Sequence, residues 1–162
     1  MQKLNRILLV LALAWLSMGN LSWKAAIGAE PRASVEQDFQ KAKHDYFQKD
    51  LKSAATEIRR GTSYLKSEAE TANAEGKKVL TESYRQLEIL ADDIEKGAVA
   101  SVNQLDASFA RAYHALATNS HIKSTESLSR KEIKNTEKNL DEVTKYLERG
   151  FYWAGQNAEA GY

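Results

Sequence analysis

The sequence predicts an all-α protein, an antiparallel up-down four-helix bundle, and three observations carry that prediction. Proline occurs once, at Pro31, and a chain rich in Ala, Glu, Lys, Leu and Gln without further proline favours helices. Apolar residues recur at three- and four-residue steps along most of the chain, the period of a one-sided helix. No stretch shows the sustained alternation of a half-buried strand. Amphipathic helices joined by short connections pack most economically as antiparallel neighbours.

The first helix is expected over about 34–73. Ser34-Val35-Glu36-Gln37 has the form of a capping box, a hydroxyl for an early backbone N–H with a glutamine reaching back. The stripe then runs Val35, Phe39, Ala42, Tyr46, and resumes as Leu51, Ala54, Ile58, Leu65, Ala69. The five-residue step from Tyr46 to Leu51 rotates the stripe by roughly a third of a turn. One continuous or slightly kinked helix is the favoured reading. The alternative is five helices, or a repeat of αα-hairpins, with a break near 49–50.

Gly76 suits the next turn. The second helix carries Leu80, Tyr84, Leu87, Ala91 and Ile94 and should stop at Gly97, where Lys96 complements the last carbonyls. Ser101-Val102-Asn103-Gln104 offers a second capping box, so a turn is placed at 97–101. The third helix carries Val102, Leu105, Phe109, Ala112 and Leu116, and its apolar signal fades through Thr118-Asn119-Ser120. Ser129-Arg130-Lys131-Glu132 offers a third box. The fourth helix follows with the stripe Ile133, Leu140, Val143, Leu147, Phe151, Ala154, read as its core face.

Two internal echoes run through these helices. Lys49–Leu65 resembles Lys131–Leu147 at a constant offset of 82, with Lys, Lys, Thr, Tyr and Leu identical, as duplication of a helical hairpin would leave. An aliphatic residue, two mostly charged positions and a glycine recur at Gly61, Gly97 and Gly150. At Gly97 this reads as a helix end. At Gly61 and Gly150 the stripe continues, which suggests close helix packing instead.

Residues 1–29 read as a cleavable signal peptide ahead of a single domain at 30–162. Lys3 and Arg6 precede an unbroken apolar run, Ile7–Leu16, and the segment leaves through Ala25-Ala26-Ile27-Gly28-Ala29. Cleavage is expected after Ala29, with Gly28 the nearest competitor. An uncleaved anchor over Ile7–Trp23 is the alternative, weakened by Ser17, Gly19, Asn20 and Ser22. Export to the periplasm or medium follows, without a membrane anchor after cleavage. The whole chain has 23 basic and 22 acidic residues, and the signal segment takes three basic residues and no acid, leaving 20 against 22, about −2. With both signs interspersed, no basic face for nucleic acid is expected.

There is no cysteine, which excludes a lipoprotein anchor, thiolate zinc sites, iron–sulfur clusters and covalent haem. Both methionines, Met1 and Met18, fall in the signal segment, which removes Met-ligated haem. No Glu-x-x-His occurs, against a di-iron bundle, and no Gly-x-Ser-x-Gly or phosphate loop is present. His114 and His121 share one helix face with Ala110 and Ala117, the one candidate metal or haem row. Seven residues of helix is about 10 Å of rise, too far for one ion to bridge them unaided. His44 lies off its stripe and reads as exposed. The adjacent acids Asp92-Asp93 and Asp141-Glu142 diverge on a helix and read as solvated faces.

Phe151-Tyr152-Trp153 cannot all face one core. With Tyr146 these make a candidate aromatic edge, so Tyr146, Tyr152 and Trp153 are the candidate partner-binding residues; the alternative has Trp153 closing the bundle end beside Tyr146. The expected function is non-catalytic, without cofactor: binding, scaffolding or envelope stress, with a protein or envelope component engaged near 146–153 or 110–121. A homodimer through the long stripes of the first and last helices is possible on the same pattern. A haem- or metal-binding bundle using His114 and His121 is the alternative.

Overall fold

The computed structural model describes residues 31–159 apart from Ala100; residues 1–29, read from the sequence as a signal peptide, lie outside the described residues. Five helices follow in order: α1 (Pro31–Phe47), α2 (Leu51–Thr71), α3 (Ala74–Glu95), α4 (Val102–Ser129) and α5 (Ile133–Glu159). The described residues contain no strand. The all-α class holds, and the described residues form five helices, the alternative with a break near 49–50, in place of four.

The extra helix comes from the break at 48–50. Lys49 adopts a left-handed φ of 62°. The N–H groups of Gln48, Lys49 and Asp50 donate to the carbonyls of His44, Tyr46 and Asp45, each at 3.0 Å, which closes α1. Asp50 then opens α2, its carboxylate accepting from the Ser53 amide at 3.1 Å and the Ser53 hydroxyl at 2.8 Å. The five-residue step in the stripe was the trace of this break. Ser34 is no cap, because α1 is already helical at Pro31.

α3 starts from Asn73, whose side chain accepts from the Gly76 amide at 2.9 Å. Gly76 therefore sits inside the first turn of α3, not in the connection. It is buried against Asn119 of α4, where a β-carbon would overlap the Asn119 side chain. Gly97 ends the connection's first turn at φ 71°. Ser101 stands at the N-cap of α4 without a side-chain cap bond. Past Thr118 the core face of α4 continues with Asn119, Ser120, Ser124 and Ser127, all buried. Small polar residues line the interface there, so the helix runs on while its apolar signal fades. Ser129 is the last residue of α4, its hydroxyl donating to the Glu126 carbonyl at 2.7 Å. The third box is thus a helix end, and α5 begins after Lys131 at φ 59°.

The helices pack in chain order, α1 on α2, α2 on α3, α3 on α4 and α4 on α5, with a smaller contact of α1 on α4. The stripes expected for the first three helices are in the core: Val35, Phe39, Ala42, Ile58, Leu65, Leu80, Leu87, Ile94, Leu105, Phe109 and Leu116 are all buried. Phe39 stacks on Phe109 at 4.3 Å, and Trp153 meets Phe109 edge-on at 5.0 Å. Gly61 lets Phe39 approach, since a β-carbon there would lie 2.5 Å from its ring.

The 82-residue echo has a structural counterpart. Lys49 and Lys131 are the only non-glycine residues with positive φ among those described. Their turns share one hydrogen-bond pattern: Arg130, Lys131 and Glu132 donate to Glu126, Leu128 and Ser127, each shifted by 82 from the first turn. The ends of α1 and α4 and the starts of α2 and α5 also differ by 82. Tyr64 and Tyr146, the matched tyrosines, meet hydroxyl to hydroxyl at 2.7 Å.

Candidate functional site

The site begins with a correction to α5. The stripe expected to face the core faces outward: Ile133, Leu140, Leu147, Phe151 and Ala154 are exposed, Phe151 at 73%. The core side of α5 is a second seam, Thr136, Asn139, Val143, Tyr146, Gly150, Trp153, which turns toward α4. Both seams have steps of three and four, so periodicity alone supports either. Tyrosine and tryptophan fill the inner one because they fit the aromatic cluster, and Gly150 lies against α4 in ordinary contact. Gly150 stands 3.6 Å from the Ala110 carbonyl, measured from where its β-carbon would be.

The aromatic edge is corrected with it. Tyr146 and Trp153 are buried, at 3% and 1% exposure. Of the three residues proposed to meet a partner, only Tyr152 is exposed, and it leans edge-on against Trp153 at 5.5 Å. Trp153 closes the bundle beneath the surface, with Lys43 over its ring at 5.5 Å.

Beneath the face lies a polar group that the sequence did not single out. Glu36 of α1 is buried. Its carboxylate accepts from the Tyr113 hydroxyl at 2.6 Å, the Trp153 indole at 3.3 Å and the Gln40 amide at 2.7 Å. Burial pushes the Tyr113 phenol well above its ordinary range, and the bond to Glu36 adds to this. Tyr113 therefore stays a donor at every physiological pH. Burial likewise raises Tyr64, with the Tyr146 hydroxyl the next cause. These bonds tie α1, α4 and α5 together, which is a structural role. The signal for it was faint: a glutamate on the core-facing side of a helix beside Val35.

The outward face carries a trough between α4 and α5. Its lower part, about 280 Å³, is lined by Ala110, Arg111, His114, Leu147, Gly150, Phe151 and Ala154. The upper part, about 200 Å³, is lined by His114, Ala117, Thr118, His121, Val143 and Leu147. His114 and Leu147 are common to both. Each hollow is smaller than the roughly 300–1,000 Å³ of a typical small-molecule pocket, and His114, Leu147 and Phe151 are themselves exposed.

The histidine row lies on this trough, as its spacing implied. Among the described residues no group of three or more His, Cys, Asp or Glu is placed to hold a metal. His44 is exposed on α1, a different helix from the row. No described helix is long and apolar enough to cross a membrane. No family model matches this chain, and no curated protein or solved structure matches it either.

Proposed function

We propose that the chain is an exported, non-catalytic binding or scaffolding protein that engages a helical or flat protein surface through the outer face of α5 and the adjoining row of α4. The observation that supports it is the face itself. Five apolar side chains follow helical spacing over more than twenty residues and remain exposed, and an apolar strip of that length on a soluble surface marks a contact site. Small residues beside it, Ala110, Ala117 and Gly150, leave room for a partner's ridge. Lys3, Arg6, the Ile7–Leu16 run and the small-residue exit support export.

Photo-crosslinking in cells tests the face. A crosslinking residue is placed at Leu140 or Phe151, with Arg85, exposed on α3, as the control. Discrete adducts from the two α5 positions and none from Arg85 are expected. Equal adducts from all three, or none from α5, would overturn the reading. Amino-terminal sequencing of the same material should begin at Glu30, and a start at Met1 would overturn export by cleavage.

A further inference from the structure

Resting on that reading of the face, we infer that its occupant is a second copy of this chain, docked through an antiparallel pairing of α5 with α5.

The internal repeat states what the face is for. Shifted by 82, Ile133, Leu140, Leu147 and Phe151 of α5 correspond to Leu51, Ile58, Leu65 and Ala69 of α2. In α2 that seam is buried between the neighbouring helices α1 and α3, and Ile58 and Leu65 are wholly buried. In α5 no described helix covers it: Ile133, Leu140 and Leu147 are 56%, 46% and 37% exposed. The uncovered seam is the equivalent of a helix-binding seam, and the fold shows how such a seam is filled, by an antiparallel helix.

Charge then selects the occupant. Along the edge of the α2 seam, Arg59 reaches Glu95 at 2.7 Å, and seven residues later Lys66 reaches Glu88, seven residues earlier on α3. The corresponding α5 positions are Asp141 and Glu148, reversed in sign, with Lys134 one heptad before them. A copy of α3 would meet like charges here. An antiparallel copy of α5 does not. With the two-fold axis at Asp141, Lys134 of each helix falls opposite Glu148 of the other. Lys145, 2.7 Å from Asp141 on its own helix, neutralises the acids at the axis. In this register Leu140 lies within one turn of Thr144, and Ile133 within one turn of Phe151, of the other copy. Glu137 lies in the same seam; a charge there lowers stability and keeps the pairing reversible.

Sedimentation equilibrium of the purified chain over rising concentration tests this. The expected result is a reversible monomer–dimer equilibrium. Leu140→Lys should weaken it by at least about tenfold, the equivalent of about 1.4 kcal/mol. Lys134→Glu and Glu148→Lys should each weaken it, and the two combined should restore it. Circular dichroism confirms that each variant keeps its helices, since all three residues are exposed. A chain that stays monomeric throughout, a dimer indifferent to Leu140→Lys, or charge variants that fail to rescue one another would each overturn the inference. Monomeric chain that still yields α5 adducts to a different protein in cells would remove the second copy and leave the binding face standing.

Discussion

Lys49 and Lys131 carry the same strain at matched positions. A side chain in the left-handed region costs roughly 1–2 kcal/mol, which glycine does not incur, although glycine loses more chain entropy on folding. Lys49→Gly and Lys131→Gly should therefore each leave stability unchanged or raise it by up to about 1 kcal/mol; urea unfolding read by helicity measures this. Glu57 is a second residue with a defined consequence. Burial pushes its carboxyl up, but Lys41 and Arg60 together outweigh that and hold it below the ordinary value of 4.5. A carboxylate lowered by folding stabilises the native state above its unfolded pKa and loses that contribution as pH falls through the folded value. Asp38 works in the opposite sense, its carboxyl raised by burial and by Glu57. Glu57→Gln should lower the Tm at neutral pH, and the gap from wild type should narrow as the pH is taken below 4.5. A gap constant across that range would remove Glu57 as the titrating group.

At the scale of elements, the helices and their inner faces were legible wherever a helix has one apolar stripe. Val35 and Phe39 on α1, Leu80, Leu87 and Ile94 on α3, and Leu105 to Leu116 on α4 are buried as the spacing requires. One thing was legible only as an alternative, and one was not legible. The break at 48–50 showed only as a five-residue step, because lysine at positive φ leaves no glycine to mark it. The orientation of α5 was misread because that helix has two seams, and the more hydrophobic one is turned outward. Its inner seam looks polar in sequence, yet Tyr146 and Trp153 bury more surface than the leucines opposite. The hydroxyl pair of Tyr64 and Tyr146 ties α2 to α5 at the matched positions. Tyr64→Phe and Tyr146→Phe should each cost about 1 kcal/mol, and the double variant less than the two together, because one shared bond is lost once. Full additivity in urea unfolding would show that the pair does not act as a unit.

Viewed as a whole molecule, the described chain is two related helical hairpins, α1–α2 and α4–α5, with α3 between them in sequence and laid over α2. The echo at offset 82 was legible before the fold, but its meaning depended on seeing that both turns share φ values and hydrogen bonds. The candidate site was legible in part. The histidine row and the last turns of α5 both border the trough, whereas the aromatic edge was inverted: Phe151, assigned to the core, is exposed, and Trp153 is inside. A partly unpaired repeat explains that inversion better than any local pattern does. An apolar seam turned outward is indistinguishable in sequence from a core seam.

The placement of Trp153 makes the fold optically self-reporting. It is the only tryptophan after residue 29, it is 1% exposed, and its indole N–H is bound to a carboxylate on the first helix while its ring lies on the last. Emission from a chain that starts after residue 29 is therefore a single-chromophore signal, blue-shifted in the native state, that moves to longer wavelength when α5 leaves α1. The exposed seam lies on the other side of the same helix, so a contact made through it would leave that emission largely in place, and a red shift reports unfolding rather than dissociation.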